Sequence, residues 1–229
     1  MNFDHPNRKV LITGKSGTGK TTLWRKIIRE WPAKKVFVFD PERQFAQREG
    51  LKVAMTVEAL NYATARERFV VFDPTSMFPG DRSEAFAFFS RFVLLQSRSL
   101  SCVKLYAVDE LQGVQTTGNG GVPQAFKEIG DEGRRQQIDL VLVAQRLNTV
   151  NDAIRAQVNR VITFQHTDPR ALVILSEMGM QPESVSSLGR FEYIDADLDT
   201  GTIKRVAKNH APDTKGKTDS RKSIDREKA

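Results

Sequence analysis

Lys9-Val10-Leu11-Ile12-Thr13-Gly14-Lys15-Ser16-Gly17-Thr18-Gly19-Lys20-Thr21 is the stretch that decides the fold of this chain. Lys9 to Thr13 is a short apolar, β-branched run of strand length, and Gly14 to Thr21 matches Gly-x-x-x-x-Gly-Lys-Thr. Thr22 to Trp31 then sets Leu23, Trp24, Ile27, Ile28 and Trp31 at helical spacing, the packing face of a helix. A strand that turns through glycines into a helix is a phosphate cradle. Glycines let successive backbone N–H groups curl around the anion, and the helix N-terminus adds a favourable dipole. The predicted cradle comprises Gly14, Lys15, Ser16, Gly17, Thr18, Gly19, Lys20, Thr21 and Thr22. Lys20 is expected to neutralise the β- and γ-phosphates of ATP, and Thr21 to offer Mg²⁺ a hydroxyl oxygen.

On either side of this motif the chain alternates short apolar runs with helical patterns, which implies a mainly parallel sheet wrapped by helices. The predicted strands are Lys9 to Thr13, Val36 to Phe39, Phe69 to Phe72, Val103 to Val108, Ile138 to Ala144 and Arg160 to Gln165. Near the end, Phe191 to Asp195 and Thr202 to Val206 flank Asp199-Thr200-Gly201 and predict a closing β-hairpin. One domain over residues 1–206 is expected, followed by a basic tail over 207–229 too poor in apolar residues to order itself.

Three predicted strands end in aspartate, at Asp40, Asp73 and Asp109, and only Asp109 is followed by glutamate. Asp109 is therefore the expected magnesium partner and Glu110 the base that orients the attacking water. The strand Leu140 to Ala144 ends in Gln145, whose amide can touch both a γ-phosphate and a lytic water. Arg134 and Arg135 precede that strand and Arg160 opens the next. A guanidinium fork suits the charge that develops on a transferring phosphoryl group. If one of the three acts on a neighbouring subunit, the chain must assemble head to tail, and a closing rotation gives a ring.

The 229 residues carry 35 Lys and Arg against 28 Asp and Glu, a formal charge of +7 that favours polyanionic partners. Cys102, the single cysteine, reads as a small core residue beside an apolar run and fits a reducing setting. No signal-peptide pattern is read at the start, no apolar run is long enough to span a bilayer, and the dispersed His5, His166 and His210 predict no zinc site. Phe86, Phe88, Phe89 and Phe92 form an aromatic cluster expected to be mostly core, with a docking role as the lesser reading. The loop Thr116 to Gly121 reads as a linker, or as a channel loop that would meet phosphates.

The stretch from Gly133 through Gln145 to Arg146 resembles the arginine, strand and Thr-Gln-Arg segment of the FtsK/HerA translocases. The likeness continues in order through Ile154 to Gln165, Asp168 to Leu175 and Gly189 to Ile194. With the cradle and Asp109-Glu110 it covers most of residues 8 to 206. It implies a RecA-like P-loop ATPase with phosphate binding at Lys20 and Thr21, catalysis at Asp109 and Glu110 and sensing at Gln145. A trans arginine around Arg134, with Arg160 in reserve, is implied as well. It further implies a homo-oligomeric ring, with a hexamer favoured, acting on double-stranded DNA. Leu147 stands where the chromosome translocases usually have proline, and no anchor or DNA-reading domain is seen. A bare motor of this size is most similar to the genome-packaging ATPases of membrane-containing double-stranded DNA viruses, which implies a virion packaging vertex or host cytoplasm as its setting. A viral portal, capsid or membrane protein is the implied docking partner. A cellular HerA-like or conjugation-type pump and a slow nucleotide-dependent assembly protein are the alternatives. A small-molecule kinase is disfavoured by the water-activating Glu110, and a GTPase by the lack of an Asn/Thr-Lys-x-Asp sequence.

Overall fold

The structure, a computed structural model, describes residues 7–111 and 121–207. In chain order the first half comprises β1 (Lys9–Thr13), α1 (Lys20–Glu30), β2 (Lys35–Phe39), α2 (Gln44–Glu49), β3 (Val53–Ala54), α3 (Val57–Arg66), β4 (Phe69–Phe72) and α4 (Arg82–Ser99). The second half comprises β5 (Lys104–Val108), α5 (Gln124–Gln136), β6 (Ile138–Ala144), α6 (Asp152–Arg155), β7 (Arg160–Thr163), α7 (Pro169–Glu177), α8 (Pro182–Ser186), β8 (Tyr193–Asp197) and β9 (Thr202–Val206). The strands join in one sheet ordered β3-β4-β2-β5-β6-β1-β7-β8-β9. All pairings from β3 to β7 are parallel, and β8 and β9 close the sheet as the expected antiparallel hairpin.

Alternation along each strand sorts the core into two layers. Leu11, Phe37, Phe39, Tyr106, Val108, Leu140 and Leu142 face a layer built by α3, α4, α5, α7 and α8. Their neighbours Val10, Ile12, Val36, Val38, Leu105, Ala107, Val141 and Val143 face Trp24 and Ile28 of α1 and Phe45 of α2. Both faces are covered, so the central strands are apolar throughout, as a parallel sheet requires. Phe86, Phe89 and Phe92 of α4 are buried against Phe37, Phe39 and Tyr106, while half-buried Phe88 packs on Phe72 and Phe78. The aromatic cluster is therefore core.

Several expectations change at their edges. β2 begins at Lys35 and β5 at Lys104, the first pair of their ladder, and each lysine ammonium turns back onto a helix end. Lys104 Nζ donates to Ser97 O at 3.2 Å and Leu100 O at 2.6 Å, and Lys35 Nζ donates to Glu67 O. These cations meet the carbonyls at the C-terminal ends of α4 and α3, where a helix dipole favours positive charge. Cys102 is half-buried in the loop before β5 rather than a core residue. β7 ends at Thr163 instead of Gln165, and β8 starts at Tyr193 instead of Phe191; Gln165 and Phe191 instead bond their backbones to the phosphate loop. The two-residue β3 carries too little pattern to be read from sequence. The tail from 208 onward, the loop residues 112–120, His5 and His210 lie outside the described residues. No helix among the described residues is long and apolar enough to cross a membrane.

At the edge where the parallel strands begin, Asp139 is fully buried. It accepts the Arg8 backbone N–H at 2.8 Å, the Arg8 guanidinium at 3.2 Å and Trp31 Nε1 at 2.8 Å. One carboxylate thus ties the entry of β1 to the end of α1. Asp139→Ala leaves an indole N–H and a guanidinium without this acceptor, and urea denaturation is expected to show a loss of about 3 kcal/mol or more. Asp139→Asn, which keeps an acceptor oxygen, should lose less.

Candidate active site

Because β1, β5, β6 and β2 run parallel, Gly14, Asp109, Gln145 and Asp40, each the residue after its strand, meet at one edge of the sheet. The loop after β1 is shaped by glycines in the left-handed region, with φ of +142° at Gly14, +76° at Gly17 and +113° at Gly19. A Cβ on Gly14 would stand 2.6 Å from Phe164 Cβ, so no larger residue fits there. The loop is braced from inside and from β7. Thr18 Oγ1 and Lys20 Nζ each donate to Lys15 O at 2.8 Å, and the Lys15 N–H donates to Gln165 O at 3.0 Å. Lys15, Ser16 and Gly17 are exposed, with open space beside Gly17, while Thr21 and Thr22 lie in the first turn of α1.

The acids sort themselves by their partners. Asp40 is fully buried and accepts the Ala46 N–H at 2.9 Å, capping α2. Asp73, also fully buried, accepts from Thr75 N at 3.0 Å and Thr75 Oγ1 at 2.8 Å and pairs with Arg43 at 2.5 Å. Asp73 thus ties its own loop to Arg43 of the loop after β2, while Asp40 keeps Oδ1 buried without a hydrogen-bond partner among the described residues. Half-buried Asp109 and Glu110 face the phosphate loop, and Gln145 Nε2 donates to Glu110 Oε1 at 3.1 Å. Since β6 lies between β1 and β5, the Gln145 amide stands between the cradle and Glu110. Glu110 has a φ of +61°, a backbone conformation that is costly for a residue with a side chain and that gathers at functional sites.

Burial lowers the Lys20 ammonium to a pKa of about 8 against the opposing pull of Asp109 and Glu110. Burial, with Asp40 and Glu110 adding to it, raises Asp109 to about 7. Each group is held in surroundings that disfavour its charge, and a counter-charge restores it: an anion for Lys20, a cation for Asp109. The donor set, a Thr21 hydroxyl and an Asp109 carboxylate, is all oxygen and suits Mg²⁺. The cradle and these two residues therefore fit a magnesium triphosphate.

The three arginines lie elsewhere. Arg134 and Arg135 end α5 and Arg160 opens β7, which places them at the edge where strands begin. The seven residues of β6 separate that edge from Gln145 by roughly 20 Å, at about 3.3 Å per residue. None of them reaches the cradle of its own chain. Arg135 pairs with Glu132 at 2.7 Å, and Arg160 makes a two-pronged contact with Asp195 at 2.7 and 2.5 Å.

The structure adds residues that sequence reading passed over. His166 is buried after β7, its Nε2 3.0 Å from Thr13 Oγ1, and Phe164 closes over Gly14. Phe191, with a φ of +67°, donates its N–H to Thr18 O at 3.1 Å and lays its ring edge against Gly19. No spacing marks a lone histidine or phenylalanine as part of a distant loop; only the place of their strands beside β1 does.

No protein-family model matches the chain, and no curated protein does. Among solved structures, the genome-packaging NTPase B204 from Sulfolobus turreted icosahedral virus 2, in complex with ATPγS, superposes with a TM-score of 0.69 at 18% identity, over 90% of this chain and 98% of that one. B204 from Sulfolobus turreted icosahedral virus, described as a DNA-packaging ATPase, gives 0.71 at 17% identity, over 90% and 100%. This chain has their fold. The bacterial conjugative coupling protein TrwB, as its ΔN70 form, gives 0.63 at 11% identity, over 89% and 85%. The RecA-like P-loop α/β fold with a C-terminal hairpin is thus the one observed, and its neighbours include the packaging type that the sequence resemblance names.

Burial lowers His166 to a pKa of about 4, helped by Lys20 and opposed by Asp168. A depressed histidine favours the neutral ring in the fold, whereas the unfolded chain takes up its proton below about pH 6.5. Its contribution is complete above that pH and fades as pH falls towards about 4, by at most about 3 kcal/mol. Thermal melts should show a smaller loss of Tm in His166→Gln than in the unsubstituted chain over this window, and equal losses would refute it.

Proposed function

We propose that this chain hydrolyses ATP to drive double-stranded DNA, and that its task is viral genome packaging. The observation that carries the chemistry is the Gln145 to Glu110 hydrogen bond beside a glycine cradle. This contact supports Glu110 as a carboxylate base, oriented by the Gln145 amide, for a water approaching a γ-phosphate. Lys20 and the N–H groups of Ser16 to Thr21 hold the phosphates, and Glu110 takes the proton of the attacking water. Gln145 keeps that carboxylate aligned and is placed to sense the γ-phosphate. Mg²⁺, when bound through Thr21 and Asp109, supplies charge neutralisation at the β- and γ-phosphates.

The arginines support a ring. They lie on the far edge of the sheet from their own cradle, so they serve hydrolysis only by facing the cradle of a neighbouring subunit, which requires head-to-tail contact. Arg134 leads this role, with Arg135 beside it. Arg160, held by Asp195 in a two-pronged ion pair, is the reserve candidate. A hexamer is the favoured closure. A net charge of +7 suits a DNA partner gripped by its phosphates. The packaging role is favoured by B204, which matches over nearly the whole of both chains. On this reading the ring works at the packaging vertex of a virion or in the host cytoplasm, docked to a portal, capsid or membrane protein. TrwB supports a conjugation-type pump as the second reading.

Phosphate-release assays with and without duplex DNA test the proposal. ATP hydrolysis should be stimulated by DNA and abolished by EDTA. Lys20→Ala and Glu110→Gln should each lower it by at least about a hundredfold, with the Glu110→Gln chain still binding ATP. A rate indifferent to DNA favours the assembly protein instead. Mixing Arg134→Ala with Glu110→Gln subunits should restore part of the activity, because some interfaces then pair an intact base with an intact arginine.

A further inference from the structure

The two helical layers differ in charge. α3, α4, α5, α7 and α8 carry cations and acids in nearly equal number. In the other layer, with Lys20 of the cradle set aside, α1 and α2 hold Arg25, Lys26, Arg29 and Arg48 against Glu30 and Glu49. At about 100° per residue, Arg25, Lys26 and Arg29 fall on the face of α1 opposite buried Trp24 and Ile28. The packing that fixes this helix on the sheet therefore also sets its cations on the outer side.

Local acids do not neutralise these cations. Glu49 of α2 is shared, since it accepts Arg25 Nε at 2.8 Å while Arg29 Nη1 lies 3.6 Å from it. Its neighbour Arg48 is exposed, and among the described residues neither Arg48 nor Lys26 has a carboxylate within ion-pair distance. Exposed Arg68 extends the patch past the end of α1, where its guanidinium donates to Arg29 O at 3.2 Å and Trp31 O at 2.8 Å. Among the described residues the large apolar side chains that stand exposed are Val57, Tyr62, Leu95, Val173 and Ile203, none of them on α1 or α2. A face with charge and no apolar anchor suits phosphates held in water, and it offers a lipid surface nothing to bury.

We infer that the outer face of α1 and α2 is a DNA-contacting surface, on which Lys26, Arg29, Arg48 and Arg68 meet the sugar–phosphate backbone of a duplex. This rests on the DNA-driving activity proposed above and names a surface for it. Lys20 opens the same helix, so the surface and the phosphate cradle are joined by one rod, roughly 14 Å from Lys20 to Arg29. Contacts to phosphate carry no base information, so the surface holds duplexes of any sequence alike.

Fluorescence anisotropy of the full chain with two labelled duplexes of unrelated sequence, read from about 50 to 200 mM salt, tests this. The substituted chain is Lys26→Gln/Arg29→Gln/Arg48→Gln. A control removes equal charge from the other layer, as Arg66→Gln/Arg91→Gln/Arg170→Gln. The first should bind both duplexes at least about tenfold more weakly and lower the slope of log K against log salt by about 3, while the control stays within about twofold of the unsubstituted chain. Lys26→Gln alone, at a side chain with no ion pair to lose, should lower the slope by about 1, a change that a misfolded triple variant would not mimic. Unchanged binding by the α1 and α2 variants, or an equal loss in both triple variants, overturns the inference. A triple variant that keeps its DNA binding and loses binding to phosphatidylserine vesicles also overturns it, since the face would then meet acidic lipid. If the unsubstituted chain binds neither duplex, the DNA-driving activity itself is wrong, a failure separate from misplacing its surface.

Discussion

Parallel pairing of the strands from β3 to β7 is the constraint on which the rest depends. It brings the residues that follow these strands to one edge and the residues that precede them to the other. The glycine cradle, the acids and the glutamine belong to the first group, and the arginines to the second. Separation of Glu110 from Arg134, Arg135 and Arg160 within one chain is therefore built into the topology, which is why the proposed site draws its arginine from a neighbouring chain. The order of strands refines this. β6 between β1 and β5 leaves a gap of one strand between cradle and acid, and Gln145 fills it.

The electrostatics of that edge are poised rather than relaxed. Lys20 is buried and folded onto Lys15 O, while Asp109 shares its surroundings with Asp40 and Glu110. Such an arrangement is a poor way to stabilise a fold, because each group is desolvated beside an imperfect partner. It is a good way to meet a magnesium triphosphate, which brings both signs of charge at once. The left-handed backbone of Glu110 belongs with the same economy, since local strain is carried where chemistry needs a fixed direction. Stability comes instead from the two apolar layers and from anchors such as Asp139 at the opposite edge.

Much of this was legible in the chain. Gly14 to Thr21 marks the loop because only glycines reach the positive φ values found there, and the Asp109-Glu110 pair stands out because Asp40 and Asp73 lack the second acid. The alternation of apolar runs was enough for the parallel sheet, and Asp199-Thr200-Gly201 for the hairpin. What stayed hidden is whatever depends on contacts distant in sequence. His166 meets Thr13, Phe191 meets Gly19, and Asp195 engages Arg160 only because β7 and β8 are laid beside β1. The ends of β7 and β8 were misplaced for the same reason: Gln165 and Phe191 spend their backbone groups on the phosphate loop instead of the ladder.

The central claim is that the edge shared by β1, β5 and β6 holds a magnesium triphosphate. A crystal structure of the chain grown with Mg²⁺ and a non-hydrolysable ATP analogue tests it most directly. Phosphates should lie against the backbone of Gly14 to Thr22, with the metal on the Thr21 and Asp109 side and the γ-phosphate towards Glu110 and Gln145. Nucleotide bound elsewhere, or a cradle that stays empty at saturating analogue, would contradict the account.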